Sequence, residues 1–227
     1  MYREFPPPAA LEPYVQCLWH AAGGEGHKLI APDGCIDIVV QPEHALVRVI
    51  GLMTRAQQVP ARESFGVRFR PGGAPAFLGG APAHLVTDLT LALAEFWSGS
   101  EVESLLDDPL AGLGQALLAK LPSDRPDPRL TRAVQLLSAG QTVQQTSAEV
   151  ALSRQQLTRL FRQHVGTGPK KLARILRLDH ARVALRGSQL SPASVAADLG
   201  FCDQAHFCRE KRALLGYSNG RLFSGQA

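Results

Sequence analysis

Two helix starts placed close together limit what the middle of this chain can fold into. In "QTVQQTSAEVALSRQQLTRL" (141–160), Thr142 is followed three residues later by Gln145. That spacing is a capping box, in which each residue's side chain satisfies the other's backbone N–H. Val143 and Val150 give the helix an apolar side, "ALS" (151–153) turns the chain, and Ser153 is placed to cap the next helix. Short helix, tight turn, second helix is the helix-turn-helix arrangement.

A variant of this unit recurs about fifty residues further on. Ser191-Pro192 supplies an N-cap and a proline at the first helical position. Val195, Ala196 and Leu199 follow, "GFCD" (200–203) turns the chain, and the next helix starts near Gln204. A long helix from Pro169 to about Arg186, stopped by Gly187, joins the two units.

The chain changes character at "LPSDRPDPRL" (121–130). Of the 24 Lys/Arg and 20 Asp/Glu, residues 1–125 hold 9 and 14, a charge of −5, while residues 126–227 hold 15 and 6, a charge of +9. An acidic half joined to a strongly basic half implies that one of them meets a polyanion. Two units are therefore expected, a β-rich domain over 1–122 and an all-helical domain over 127–227, an α+β architecture. In the first, "YVQCLWHA" (14–21), "CIDIVVQ" (35–41), "ALVRVIGL" (45–52) and "SFGVRFRP" (64–71) read as strands of a sandwich or small barrel, with a turn at Pro32-Asp33-Gly34. Leu89, Leu93 and Phe96-Trp97 mark one helical stretch, and Val102, Leu105, Leu106, Leu113, Leu117 and Leu118 a second. These stretches are expected to cover the sheet, with a dimer interface as the alternative.

The faces of the two second helices carry the chemistry. Stepped at helical spacing, Leu157, Leu160 and Phe161 fall on one side of "SRQQLTRLFRQHVG", and Gln155, Thr158, Arg159 and Arg162 on the other. Arg, Gln and a Thr methyl are the groups that read guanine, adenine and thymine in the major groove. No carboxylate interrupts them. In the second helix Phe207, Lys211, Leu214 and Leu215 share one side, leaving Gln204, Ala205, His206 and Arg209 for a groove. His206 and Cys208 then point about 160° apart, and Cys202 precedes the helix, so a zinc site is not expected there.

These segments resemble the DNA-binding part of AraC/XylS-type bacterial transcription regulators. The matching stretches are "LSRQQLTRLFRQHVGTGP", "RLDHARVAL" and "VAADLGFCDQAHFCREKRALLGYS". The first half, through "LEPYVQCLWH", "PDGCIDIVV" and "GVRFRPGGAPAFLGGAPAHLVTDL", is similar to an amino-terminal domain found in one branch of that family. Lys211, where the family has an aromatic residue, and Asn219, where it has proline, depart from the pattern.

The resemblance implies base reading by Gln155, Thr158 and Arg159 in one helix and by Gln204, Ala205, His206 and Arg209 in the other, Ala205 being too short to hydrogen-bond. Phosphate contacts are expected from Arg154, Arg162, Lys170, Lys171, Arg174 and Arg177, with the reading helices in successive major grooves of double-stranded DNA, about 34 Å apart. The acidic half is expected to be an input module for a small molecule, a partner protein or a second copy of the chain. Candidate pocket residues are Trp19, His20, Asp37, Arg68, Arg70 and Trp97. RNA polymerase is the expected partner at a promoter. No metal, cofactor or catalytic residue is expected. The alternatives are a thiol- or metal-responsive sensor using Cys17 and Cys35, and an enzymatic barrel using His20, His27, His44 and Asp37. With four irregularly spaced cysteines, no long apolar run and no signal-like start, the chain reads as a cytoplasmic protein.

Overall fold

A computed structural model describes residues 1–186 and 204–215. Eight strands occupy the first half: β1 (Tyr2–Phe5), β2 (Val15–Ala21), β3 (His27–Ile30), β4 (Asp37–Gln41), β5 (Leu46–Ile50), β6 (Gln57–Pro60), β7 (Ser64–Phe69) and β8 (Thr90–Ala92). Six form one antiparallel sheet in the order β1-β2-β7-β4-β5-β8, and β3 pairs with β6 apart from it. The sheet is open, with β1 and β8 at its edges, so it is not the closed barrel that the sequence allowed.

The alternation of strand residues decides which face is covered. Leu18, Val67, Ile38, Val49 and Leu91 lie in register across five strands. With Val15, Val40, Val47 and Phe69 they form the face that joins the main core. The opposite face holds Cys17, Trp19 and Ala21, packed with Val39.

Seven described α-helices follow: α1 (Gly99–Ser104), α2 (Pro109–Ala119), α3 (Pro128–Ser138), α4 (Val143–Glu149), α5 (Arg154–His164), α6 (Pro169–Arg186) and α7 (Gln204–Leu215). The single leucine-bearing stretch read from the sequence is thus two helices. Asp108 caps the second through Ala111 N–H at 3.3 Å, and Pro109 occupies its first position. The other expected helix, around Leu89–Trp97, is not one. Thr90–Ala92 adds an edge strand to β5, and Leu93–Glu95 is a single 3-10 turn. Leu89 and Leu93 have helical spacing, but Leu89 is exposed and Leu93 fully buried, so they share no packed side.

The change in composition near residue 125 does not divide the core. One continuous buried cluster runs from Leu11 and Ile38 through Leu113 and Leu130 to Leu157, Leu172 and Leu215. Close approach between the halves is made at glycines. At Gly34 (φ +87°) a side chain would meet Leu172 of α6 at 2.9 Å, and at Gly72 (φ +97°) it would meet Leu130 of α3 at 2.6 Å. At Gly166 (φ +101°), just past α5, it would meet the Thr87 hydroxyl at 2.6 Å and the Ala83 carbonyl at 3.1 Å. Both the left-handed backbone and the contact demand glycine there. Gly166→Ala is expected to lower stability by about 2 kcal/mol in denaturant unfolding. A loss below about 0.5 kcal/mol would show that this contact does not hold the halves together.

Candidate nucleic-acid interface

The first helix-turn-helix unit is fastened by local chemistry. Thr142 N–H donates to Gln145 Oε1 (3.0 Å), and Gln145 N–H donates back to the Thr142 hydroxyl (3.2 Å). α5 has a second capping box, with Ser153 N–H on Gln156 Oε1 (2.9 Å) and Gln156 N–H on the Ser153 hydroxyl (3.2 Å). The sequence shows this one too, at the same spacing. Between the helices Ala151 takes a left-handed φ of 53°, and Leu152 N–H closes the turn on Ser147 O at 3.0 Å. Arg132 of α3 pairs with Glu149 of α4.

α5 divides as the sequence indicates. Leu157 and Phe161 are fully buried and Leu160 half-buried. Arg154, Gln155, Gln156, Thr158, Arg159, Arg162 and Gln163 are all exposed. The Thr158 hydroxyl donates to Arg154 O (2.7 Å), and Arg154 donates to Gln144 Oε1 (3.0 Å). In α7, Phe207, Lys211, Leu214 and Leu215 are buried together, while Ala205 and Arg209 are exposed. The side chains of Gln204 and His206, the helix expected over 191–199, Cys202 and Asn219 lie outside the described residues. Cys208 is exposed.

α5 and α7 border one cleft of about 970 Å³. α6 forms its floor with Lys170, Arg174 and Arg177, one stripe at i, i+4 and i+7. Arg154 and Thr158 line one wall and Glu210 the other. Arg174 is held by Glu210 in two parallel bonds (Nε to Oε2, 2.7 Å; Nη2 to Oε1, 3.0 Å). Its guanidinium therefore braces α6 against α7, a role the sequence did not suggest beside the expected phosphate contact. Lys171 is exposed on α6. A second concavity, of about 590 Å³, runs along the outer face of α5 past Gln155, Thr158, Arg159 and Arg162, and its far wall is Pro82 and His84 from the β-rich half.

Of the six candidate pocket residues of the first half, Trp19, Asp37 and Arg68 share one sheet face, whereas His20, Arg70 and Trp97 lie elsewhere. Asp37 and Arg68 are cross-strand neighbours joined at 3.1 and 3.3 Å, and Asp33 reaches Arg68 at 3.3 Å. Asp33 also keeps its expected turn role by accepting Cys35 N–H (2.9 Å). Burial pushes the Asp37 carboxyl up to about 6 against the opposing pull of Arg68. Trp19 lies on the same sheet face across Gly66, where any side chain would meet its ring at 2.5 Å. His20 instead pairs with Glu63 (2.9 Å) and stacks on Phe65. Arg70 falls beyond the end of β7 and donates to Glu12 O. Trp97 belongs to the main core and donates to Phe77 O (2.8 Å). Among the described residues no group of three His, Cys, Asp or Glu is placed to hold a metal ion. Burial raises the Cys17 thiol to about 12 and pushes Cys35 up as well, the opposite of the lowered value a reactive thiol needs. Among the described residues no helix is long and apolar enough to cross a membrane.

Residues 146–224 match a family of helix-turn-helix domains, and residues 3–92 match a domain of unknown function, DUF6597. An uncharacterized HTH-type transcriptional regulator of Haemophilus influenzae is 30% identical over 95 residues, 42% of this chain and 32% of that one. The HTH-type transcriptional regulator ArgR of Pseudomonas aeruginosa is 29% identical over 142 residues, 58% of this chain and 43% of that one. The chain thus spans less than half the length of these relatives. A solved AraC-type DNA-binding-domain regulator from Chromobacterium violaceum is 36% identical and covers 37% of this chain and 80% of its own, with a TM-score of 0.36. The resemblance read from the C-terminal residues is borne out by the helix-turn-helix family match and by the two HTH-type regulators. A double-mutant cycle on Arg174→Ala and Glu210→Ala is expected to give a coupling of about 1 kcal/mol in thermal unfolding. Additive effects would remove Arg174 as the brace between α6 and α7.

Proposed function

We propose that this chain, which carries an AraC-type helix-turn-helix domain behind a domain of unknown function, is a sequence-specific DNA-binding transcriptional regulator. The observation that carries the reading is the carboxylate-free outer face of α5, exposed beside a cleft that α7 shares and that α6 floors with cations. Burying such a face in protein would strip several charges of water without partners. A duplex supplies both phosphates for the cations and base edges for Gln155, Thr158 and Arg159.

In this reading α5 and α7 enter successive major grooves on one side of the duplex, with Gln204, His206 and Arg209 reading the second half-site. Arg154, Arg162, Lys170, Lys171 and Arg177 contact phosphates, and Arg174 does so through the side of its guanidinium that Glu210 leaves open. Residues 1–122 act as the input unit and 127–227 as the DNA-binding unit. The Asp33–Arg68–Asp37 cluster with Trp19 is the part of the input unit suited to a polar small molecule. RNA polymerase and a second copy of the chain are the further partners, and the cytoplasm is the place of action.

Arg159→Ala is expected to weaken binding to a duplex recovered by selection from a random-sequence pool by about 1–3 kcal/mol and to relax its sequence preference. Lys171→Ala is expected to weaken selected and unselected duplexes alike and to flatten the salt dependence. Fluorescence anisotropy at several salt concentrations checks both. If Arg159→Ala weakened all duplexes equally, its role in reading bases would be withdrawn.

A further inference from the structure

Two loops of the β-rich half are knitted into one strap. Gly51 N–H donates to Leu89 O (3.0 Å), and Asp88 N–H donates to Leu52 O (3.0 Å). The Asp88 carboxylate then takes Thr54 N–H on one oxygen and the Thr54 hydroxyl on the other, both at 2.6 Å. Asp88 does this from a left-handed backbone (φ 59°), and Thr54 is buried. Aspartate tolerates this left-handed conformation better than most residues, and two short bonds to a buried partner fix it there. Gly51 is pressed so close to Val86 that an added side chain would overlap its carbonyl oxygen at 1.6 Å.

Each arm of the strap grips a different half of the DNA-binding region. From the 83–88 arm, the Thr87 hydroxyl donates to Gly166 O (2.9 Å), and His84 Nδ1 meets Arg162 O (3.3 Å), both at the end of α5. From the 52–56 arm, Ala56 N–H donates to Leu214 O (2.7 Å), near the end of α7. The link from α5 to α7 therefore runs twice through the molecule: once through α6 and its Arg174–Glu210 brace, and once through Gly166, Thr87, Asp88, Thr54, Ala56 and Leu214. Two rigid links between the same two bodies remove the hinge freedom that one link leaves.

We infer that Asp88 and Thr54 are positioning residues for DNA recognition: by locking the strap, they fix the separation of α5 and α7 and so the half-site spacing that the chain selects. The inference rests on the DNA-binding reading above. It assigns part of the spacing to the β-rich half, so a ligand or partner that opens the strap would change which sites are bound, with no change to any base-reading residue. Two modules held rigidly gain from simultaneous engagement only where the geometry permits it, and that gain is lost when the sites move out of reach.

The test uses the full chain with Asp88→Gly, which removes the carboxylate while suiting the left-handed backbone, and with Thr54→Val, which removes the hydroxyl at nearly constant shape. Binding is measured on the selected duplex, on the same duplex with the half-sites moved apart by half a helical turn, about 5 base pairs, and on a duplex carrying the first half-site alone. The wild type should lose at least about tenfold on the shifted duplex, and the variants less than about threefold, with affinity for the single half-site unchanged in both. Variants that keep the wild-type spacing preference would overturn the inference. A wild type that prefers no selected duplex would sink the DNA-binding reading itself, and the inference with it. Hydrogen exchange gives a readout without DNA. The Ala56 amide should be protected in the wild type and exposed in both variants, while the amides of β4 stay protected. An Ala56 amide that exchanges freely in the wild type, or keeps its protection in both variants, would also overturn the inference, and the β4 amides show whether a variant has simply unfolded.

Discussion

Leu172, Ile175, Leu176, Leu178 and Ala181 bury α6 on more than one side, so the helix packs at once against α3, α5, α7 and the Gly34 turn of the β-rich half. A helix buried from several directions cannot slide or rotate without opening a cavity against each neighbour, at several kcal/mol per large side chain uncovered. That constraint joins the first helix-turn-helix unit and α7 into one body. Lys170, Arg174 and Arg177, at i, i+4 and i+7 on α6, line the cleft bordered by α5 and α7. Packing and electrostatics are thus settled by the same helix.

The local parts of this architecture could be read from the chain. Thr142 with Gln145, Ser153 and the apolar positions of α5 lie within a few residues of one another, and capping and helical period are local physics. The start of α6 at Pro169 was expected on the same grounds and is observed. The strands β2, β4, β5 and β7 showed themselves through β-branched and aromatic residues. β1, β3 and β6 did not, because Tyr2–Phe5 is exposed throughout and His27–Ile30 and Gln57–Pro60 are short with little buried surface. Leu89 to Trp97 misled because helical spacing in a short segment also fits an edge strand followed by a turn.

What the sequence could not show is long-range. Thr87 and Gly166 are 79 residues apart, Arg174 and Glu210 are 36 apart, and neither pair has a spacing that announces it. Arg174 looked like one more cation for phosphate because its partner belongs to another helix. Three of the six candidate effector residues come together and three do not, for the same reason. Asp37 and Arg68 meet because β4 and β7 are sheet neighbours, whereas His20, Arg70 and Trp97 are drawn to Glu63, Glu12 and Phe77. Gly34, Gly72 and Gly166 sit where the halves touch, but Gly26, Gly79, Gly80 and Gly140 share the positive φ with nothing within 4 Å, so a glycine alone does not announce a contact.

For the proposed recognition, α5 and α7 must meet one side of a duplex together. Hydroxyl-radical footprinting of the full chain on its selected duplex measures this directly. Two protected patches on the same face, about one helical turn apart, are the expected result. A single patch, or two on opposite faces, would contradict it.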